Sequence, residues 1–129
     1  MKWKMGLQEE CLKAIAEGKK KIEGRLYDEK RQAIKPGDEI VFENRLVCVV
    51  KDLRVYPSFR EMLEKEGLEN VLPGVKSIEE GVRVYRRFYS EEKERKYGVV
   101  AIEIEPIGWL WRYYKERKIE NFIKLTTLE

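Results

Sequence analysis

Hydrophobic and polar positions alternate along this chain in two different periods. Residues 2–5 predict a short first strand. In residues 7–17, Leu7, Cys11 and Ile15 recur at i, i+4 and i+8, with Leu12 and Ala14 widening the stripe, which predicts an amphipathic helix. Gly18 follows as its stop. Residues 21–27 then alternate with period two. Lys21, Glu23 and Arg25 share one face of a strand, and Ile22, Gly24 and Leu26 the other. A charged connection over 28–34 leads to Lys35-Pro36-Gly37-Asp38, a turn in which Pro presets φ and Gly accepts a positive one.

The middle of the chain predicts two strands, two helices and another strand. Residues 39–43 form a strand with Ile40 and Phe42 on one face, and Asn44-Arg45 is expected as a tight hairpin turn. The unbroken apolar run Leu46–Val50 opens a strand over 46–55 that is covered on both faces. Ser58-Phe59-Arg60-Glu61 and Ser77-Ile78-Glu79-Glu80 are capping boxes. They start helices over 58–66, stopped by Gly67, and over 77–90, which would bury Ile78, Val82, Tyr85 and Phe88 or Tyr89. Leu72-Pro73-Gly74 marks the loop between them. Residues 98–105 read as a half-buried strand, with Val100, Ile102 and Ile104 inward and Glu103 and Glu105 outward. Residues 109–117 are expected as an aromatic-rich helix and 119–125 as a final strand or helix. These elements predict a small α+β barrel flanked by short helices rather than a βαβ repeat. Residues 1–105 form its body, and 106–129 an aromatic extension packed on the same domain.

Composition refines this picture. The chain has 129 residues, enough for one domain that needs no metal or disulfide. Charged residues make up 40%, mostly Glu, Lys and Arg, against a usual ~25%. That bias suits a thermophile protein, where ion-pair networks gain value. Net charge is +3, with clusters at Lys19–Lys21 and Arg25 and at Arg83, Arg86 and Arg87. Cys11 and Cys48 show no CxxC spacing and read as small hydrophobes in a reducing compartment. There is no apolar leader in MKWKMGLQEE and no run of ~20 apolar residues, so a soluble, cytoplasmic protein is expected. Histidine is absent. This excludes Ser-His-Asp and Cys-His mechanisms and HExxH zinc sites, and no metal or cofactor is expected. Any catalysis would use Lys, Glu, Asp, Tyr or Cys.

The run Gly18-Lys19-Lys20-Lys21-Ile22-Glu23-Gly24-Arg25, followed by the Gly37-Asp38 turn, resembles the GxKxxExR signature and GD turn of the ASCH family in the PUA-like superfamily. Tyr56–Leu63, the helix ending in Tyr85–Tyr89 and the strand from Tyr97 extend the resemblance over residues 2–105. It implies a PUA-like barrel with a cleft beside the first helix, and association with RNA or a nucleotide-like molecule. Some small family members hydrolyse N4-acetylcytidine with a Lys, a Thr and a Glu. Lys20 falls at the Lys position, Glu23 stands where the Thr would be, and Gly74 and Val75 stand near the Glu position.

Several roles stay open at this stage. Lys19–Lys21 either complements the first helix's C-terminus or brings Lys20 and Lys21 to a phosphate or base. Glu23 and Arg25 are either an ion pair on one strand face or a base acceptor and a phosphate contact. Arg83, Arg86 and Arg87 are either a solvated face or, with Arg86 beside Tyr85 or Tyr89, part of a stacking site. In an enzyme, Lys20 and Glu23 would be catalytic. Trp109, Trp111, Tyr113 and Tyr114 are core, a stacking platform or an oligomer interface. The leading expectation is an RNA- or nucleotide-binding module using a basic cleft, with a small hydrolase acting on an acylated nucleoside or RNA as the alternative. Its oligomeric state is open, with a monomer one possibility.

Overall fold

A computed structural model of the chain describes residues 1–110. Five strands and five helices follow in the order β1 (Lys2–Met5), α1 (Glu9–Ala16), β2 (Ile22–Leu26), β3 (Glu39–Phe42), β4 (Leu46–Tyr56), α2 (Phe59–Glu66), α3 (Leu68–Val71), α4 (Ile78–Arg86), α5 (Glu91–Tyr97) and β5 (Val99–Trp109). A 3-10 turn, Arg31–Ala33, lies in the charged connection. The strands form one sheet in the order β1-β3-β4-β5-β2. Only β1 and β3 run parallel; the other neighbours are antiparallel. Register shifts in the β4–β5 ladder between Val47 and Cys48 and between Val50 and Asp52 mark irregularities of the kind that bend strands. The sheet is a curled half-barrel, and β2 is one of its edges.

Each face of the sheet carries its own core, and β5 supplies both. Val100, Ile102 and Ile104 pack with Leu12 and Ile15 of α1 and with Ile40, Phe42, Leu46, Cys48 and Val50. Val99 and Ala101 pack on the opposite side with Phe59, Met62 and Leu63 of α2, with Val71, and with Tyr85 of α4. The residues of β5 that read as one buried face are therefore joined by a second, because α2 and α4 cover what would otherwise be solvent.

Local chemistry explains the element ends. Ser58, Ser77 and Ser90 each accept a hydrogen bond from the amide three residues on, at α2, α4 and α5. Gly18 has φ +78° and donates to Ile15 O, while the amides of Lys19 and Lys20 return to Ala14 O. That reversal turns the chain out of α1 and brings Lys20 inward. No helix among the described residues is long and apolar enough to cross a membrane.

Three expectations are corrected, and one element is added. The hairpin turn is centred on Glu43 and Asn44, both at φ 54°, rather than on Asn44-Arg45, because Arg45 N–H closes the turn on Phe42 O. The helix expected over 77–90 ends at Arg86; a separate helix, α5, starts after Ser90, and Phe88 is exposed. The short helix α3 fills part of the 67–72 segment. The strand expected to end at residue 105 runs through Pro106 to Trp109, so no helix begins at residue 109. Trp109 is buried in the α1-side core. Trp111, Tyr113, Tyr114 and the elements expected beyond residue 110 lie outside the described residues.

Candidate functional site

A pocket of about 320 Å³ opens where the free edge of β2 meets the N-terminal side of α1 and the C-terminal end of α4. Leu7, Cys11, Leu72 and Val84 give it apolar walls. Tyr85, Tyr89 and Phe88 give it an aromatic side, and Lys20, Glu23 and Arg25 its charges. The volume lies at the small end of ligand sites, about right for one heterocycle with its sugar.

The charged groups are built into the frame. Lys20 is 2% exposed. Its ammonium donates to Ile22 O at 2.6 Å and to Val71 O, and sits 3.2 Å from Glu23 Oε1. An ammonium has three protons and three partners surround it here. One of them, Val71 O, belongs to the last residue of α3, where helix geometry leaves carbonyls without intrahelical donors. Glu23 Oε2 accepts from Arg25 Nε at 2.6 Å, and Arg25 Nη2 donates to Gly6 O at 2.6 Å, tying the entry to α1 onto β2. Burial alone would raise the Glu23 carboxyl's pKa, but the adjacent Lys20 and Arg25 charges outweigh it and hold it below the usual value. Burial also works against the Arg25 cation, and Glu23 reverses that, raising its pKa. Two cations and one carboxylate leave the group with a net charge of +1.

Arg25 and Tyr85 each keep a polar group available beside this triad. The described hydrogen bonds use Nε and Nη2 of Arg25, so Nη1 has no partner among the described residues. The Tyr85 hydroxyl likewise makes no hydrogen bond among them, although Tyr85 is only 6% exposed. Burial, then the Glu23 charge, raise the Tyr85 pKa well above its ordinary value, so it stays a neutral donor and acceptor. Its ring stacks on Phe59 at 4.2 Å between centroids, and Tyr89 stacks on Phe59 at 5.5 Å. Phe59 is fully buried, so it holds both tyrosines in place. Gly24 makes room for this: a Cβ there would lie 2.8 Å from the Tyr85 hydroxyl and 2.6 Å from Met62 Cε.

The residues picked out in the sequence therefore divide. Lys20, Glu23, Arg25 and Tyr85 converge on one pocket. Lys21 does not join them; it lies with Lys51, Arg54 and Glu66 along a second, open depression. Arg86 is also elsewhere: it donates to Glu94 Oε1 at 2.6 Å, and Glu94 Oε2 accepts from Phe59 N–H at 2.7 Å, at the N-terminus of α2. Arg86 thus holds the end of α4 to α5 and, through Glu94, to α2. Sequence reasoning missed Gly6, Leu7, Cys11 and Val84 as pocket residues. Leu7 and Cys11 lie on the helical stripe read as core, and periodicity does not separate a flank that packs from one that lines a cavity.

The ASCH domain profile matches residues 5–108. The chain is similar to the crystal structure of hypothetical protein PH0355, with 75% identity over 83% of this chain and 100% of that one and a TM-score of 0.82. It is similar to protein PF0455 from Pyrococcus furiosus, solved by NMR in solution, with 76% identity over 83% of this chain and 98% of that one and a TM-score of 0.74. A serine-to-alanine mutant of the ASCH protein from Zymomonas mobilis is 16% identical over 98% of this chain and 89% of that one, with a TM-score of 0.51. That last likeness concerns the fold alone. Among curated proteins, no match is found.

Proposed function

Because this chain belongs to the ASCH domain family, we propose that it is a binding module for RNA or a nucleotide-like molecule, and that it takes one nucleobase into the pocket at the edge of β2. The observation that carries this reading is the pairing of unused polar groups with fixed aromatic walls. Arg25 Nη1 and the Tyr85 hydroxyl lack protein partners among the described residues, inside a pocket sized for a heterocycle. Nucleobases combine a flat apolar face with hydrogen-bonding edges, and RNA-binding proteins read unstacked bases with aromatic faces and polar side chains. The net positive charge beside them favours a base carbonyl or a nearby phosphate.

A binding role fits Lys20 and Glu23 better than a hydrolytic one. A nucleophilic or proton-shuttling Lys needs a free lone pair or a proton to spare. Here the ammonium is enclosed by two carbonyls and Glu23, and both Glu23 oxygens are engaged by cations. The triad is thus best understood as a rigid charged floor.

Calorimetric titration with the four common ribonucleosides and N4-acetylcytidine tests both roles. At least one should bind saturably and come back chemically unchanged, and Val84→Trp, which fills the pocket, should abolish the heat. If none binds at millimolar concentration, the binding role is wrong. If N4-acetylcytidine is turned over, and the activity disappears in Lys20→Met while circular dichroism shows that variant still folded, the hydrolase takes its place.

A further inference from the structure

The exposed face of α4 continues from the pocket mouth as a basic groove lined by Val75, Glu80, Arg83, Val84, Arg86 and Arg87. Val84 belongs to both the groove and the pocket, so the two adjoin. Their arginines differ. Arg86 is bound to Glu94, with Glu91 at 3.9 Å. Arg83 and Arg87 lie one helical turn apart, are exposed, and form no hydrogen bond or close ion pair among the described residues, although Arg83 acts electrostatically on Glu79 one turn before it. The groove's carboxylate, Glu80, accepts from Lys76 N–H. Phe88 stands at the pocket mouth, 57% exposed, one of three exposed large hydrophobics among the described residues. It lines the pocket, tilted at 57° to Tyr89. Arg83 and Arg87 complement the C-terminal end of α4, whereas the exposed Phe88 ring contributes nothing to the core.

Resting on the nucleobase reading of the pocket, we propose that the preferred ligand is a single-stranded polynucleotide rather than a free nucleoside, and that its backbone runs along α4. One base enters the pocket, the next stacks on Phe88 at the mouth, and Arg83 and Arg87 take successive phosphates. The one-turn spacing of the arginines along the helix is about 6 Å, close to the separation of adjacent phosphates in a strand. Stacking on an exposed ring tolerates any base, while the pocket supplies what selectivity there is.

The test compares labelled RNA octamers of A, C or U with the corresponding nucleosides, measured by fluorescence anisotropy and calorimetry across a salt series. The octamer should bind more tightly than its nucleoside. In Arg83→Gln/Arg87→Gln the slope of log affinity against log salt should fall by about 1.4, two phosphates at roughly 0.7 each for a single strand. Octamer affinity at low salt should drop about tenfold while nucleoside affinity stays within about twofold. Phe88→Ala should cost the octamer roughly tenfold more than it costs the nucleoside, because the ring lines the pocket for both and stacks a second base only in the octamer; an equal loss on both overturns the stacking step. An unchanged salt slope in the double variant, or an octamer that binds no better than its nucleoside, overturns the α4 path and leaves the pocket reading intact. Octamer binding that survives Val84→Trp but loses its salt slope in the arginine variant supports the path and refutes the pocket.

Discussion

Replacing Lys20 by Met removes the ammonium and keeps most of the side chain's length and volume. The change therefore reports on the charge and not on a cavity. Two carbonyls, Ile22 O and Val71 O, lose a donor, and Glu23 keeps Arg25 but loses its second cation. A buried acceptor left unsatisfied costs about 1–3 kcal/mol, and breaking a buried ion pair by removing one partner costs about 3–5 kcal/mol. The two figures overlap, because both count the same desolvated groups, and Arg25 still pairs with the carboxylate. A loss of about 4 kcal/mol is expected, a large share of the ~5–15 kcal/mol that holds a domain together. With a guanidinium slope of about 4 kcal/mol per molar, the unfolding midpoint should fall by about 1 M. Lys19→Met is the control: its side chain is 69% exposed and should move the midpoint by no more than about 0.1 M. Glu23→Gln combined with Lys20→Met should cost less than the sum of the two changes, since both single variants break the same Lys20–Glu23 contact. A Lys20→Met midpoint within about 0.25 M of the parent would refute the reasoning. It would mean that the ammonium is hydrated in the pocket rather than held by the frame.

Three further outcomes follow from the same geometry. Gly24→Ala should destabilise the domain by about 1–3 kcal/mol in guanidinium unfolding and weaken nucleoside binding, because its methyl displaces the Tyr85 ring or Met62. Glu23 and Glu66 both titrate below their ordinary 4.5 in the folded protein: for Glu23 the Lys20 and Arg25 charges outweigh burial, and for Glu66 the hydrogen bond from Arg54 leads. A carboxyl whose folded pKa is depressed contributes stability above its unfolded value and loses it as pH falls through the folded one. Unfolding midpoints should thus be flat above about pH 5 with respect to these groups and decline below about pH 4.5, and Glu66→Gln should make that decline shallower. Burial pushes the Cys48 thiol up to about 12 and raises that of Cys11 less, and only Cys11 lines the pocket. A thiol reagent should therefore modify Cys11 slowly, faster as pH rises, and Cys48 only after unfolding, with bound nucleoside protecting Cys11.

Much of this fold could be read from local chemistry. The alternation in 21–27 and 98–105, the serine caps of α2 and α4 and the Gly18 reversal are short-range signals, and the structure follows them. The errors fall where long-range contacts decide. The strand continues past Pro106 because β4 is there to pair with it, down to Leu46 opposite Trp109. The helix expected to reach residue 90 stops at Arg86, and Ser90 caps a new one whose glutamates and lysines carry no apolar period to reveal it. In the site, the signature run located Lys20, Glu23 and Arg25, but not what holds them. Two of the three partners of Lys20 are main-chain carbonyls, one of them 51 residues away, and no side-chain pattern encodes a carbonyl's position. Arg86 and Arg87 are adjacent and alike in sequence, yet Glu94 binds the first and leaves the second exposed.

The central claim is that a base enters the pocket at the edge of β2. Amide chemical-shift mapping during titration with the tightest-binding nucleoside tests it most directly. The account predicts saturable shifts centred on Leu7, Cys11, Gly24, Val84 and Tyr89, absent from the β3–β4 turn at Glu43–Asn44. Saturable shifts centred on any other surface, with those five amides unmoved, would contradict it.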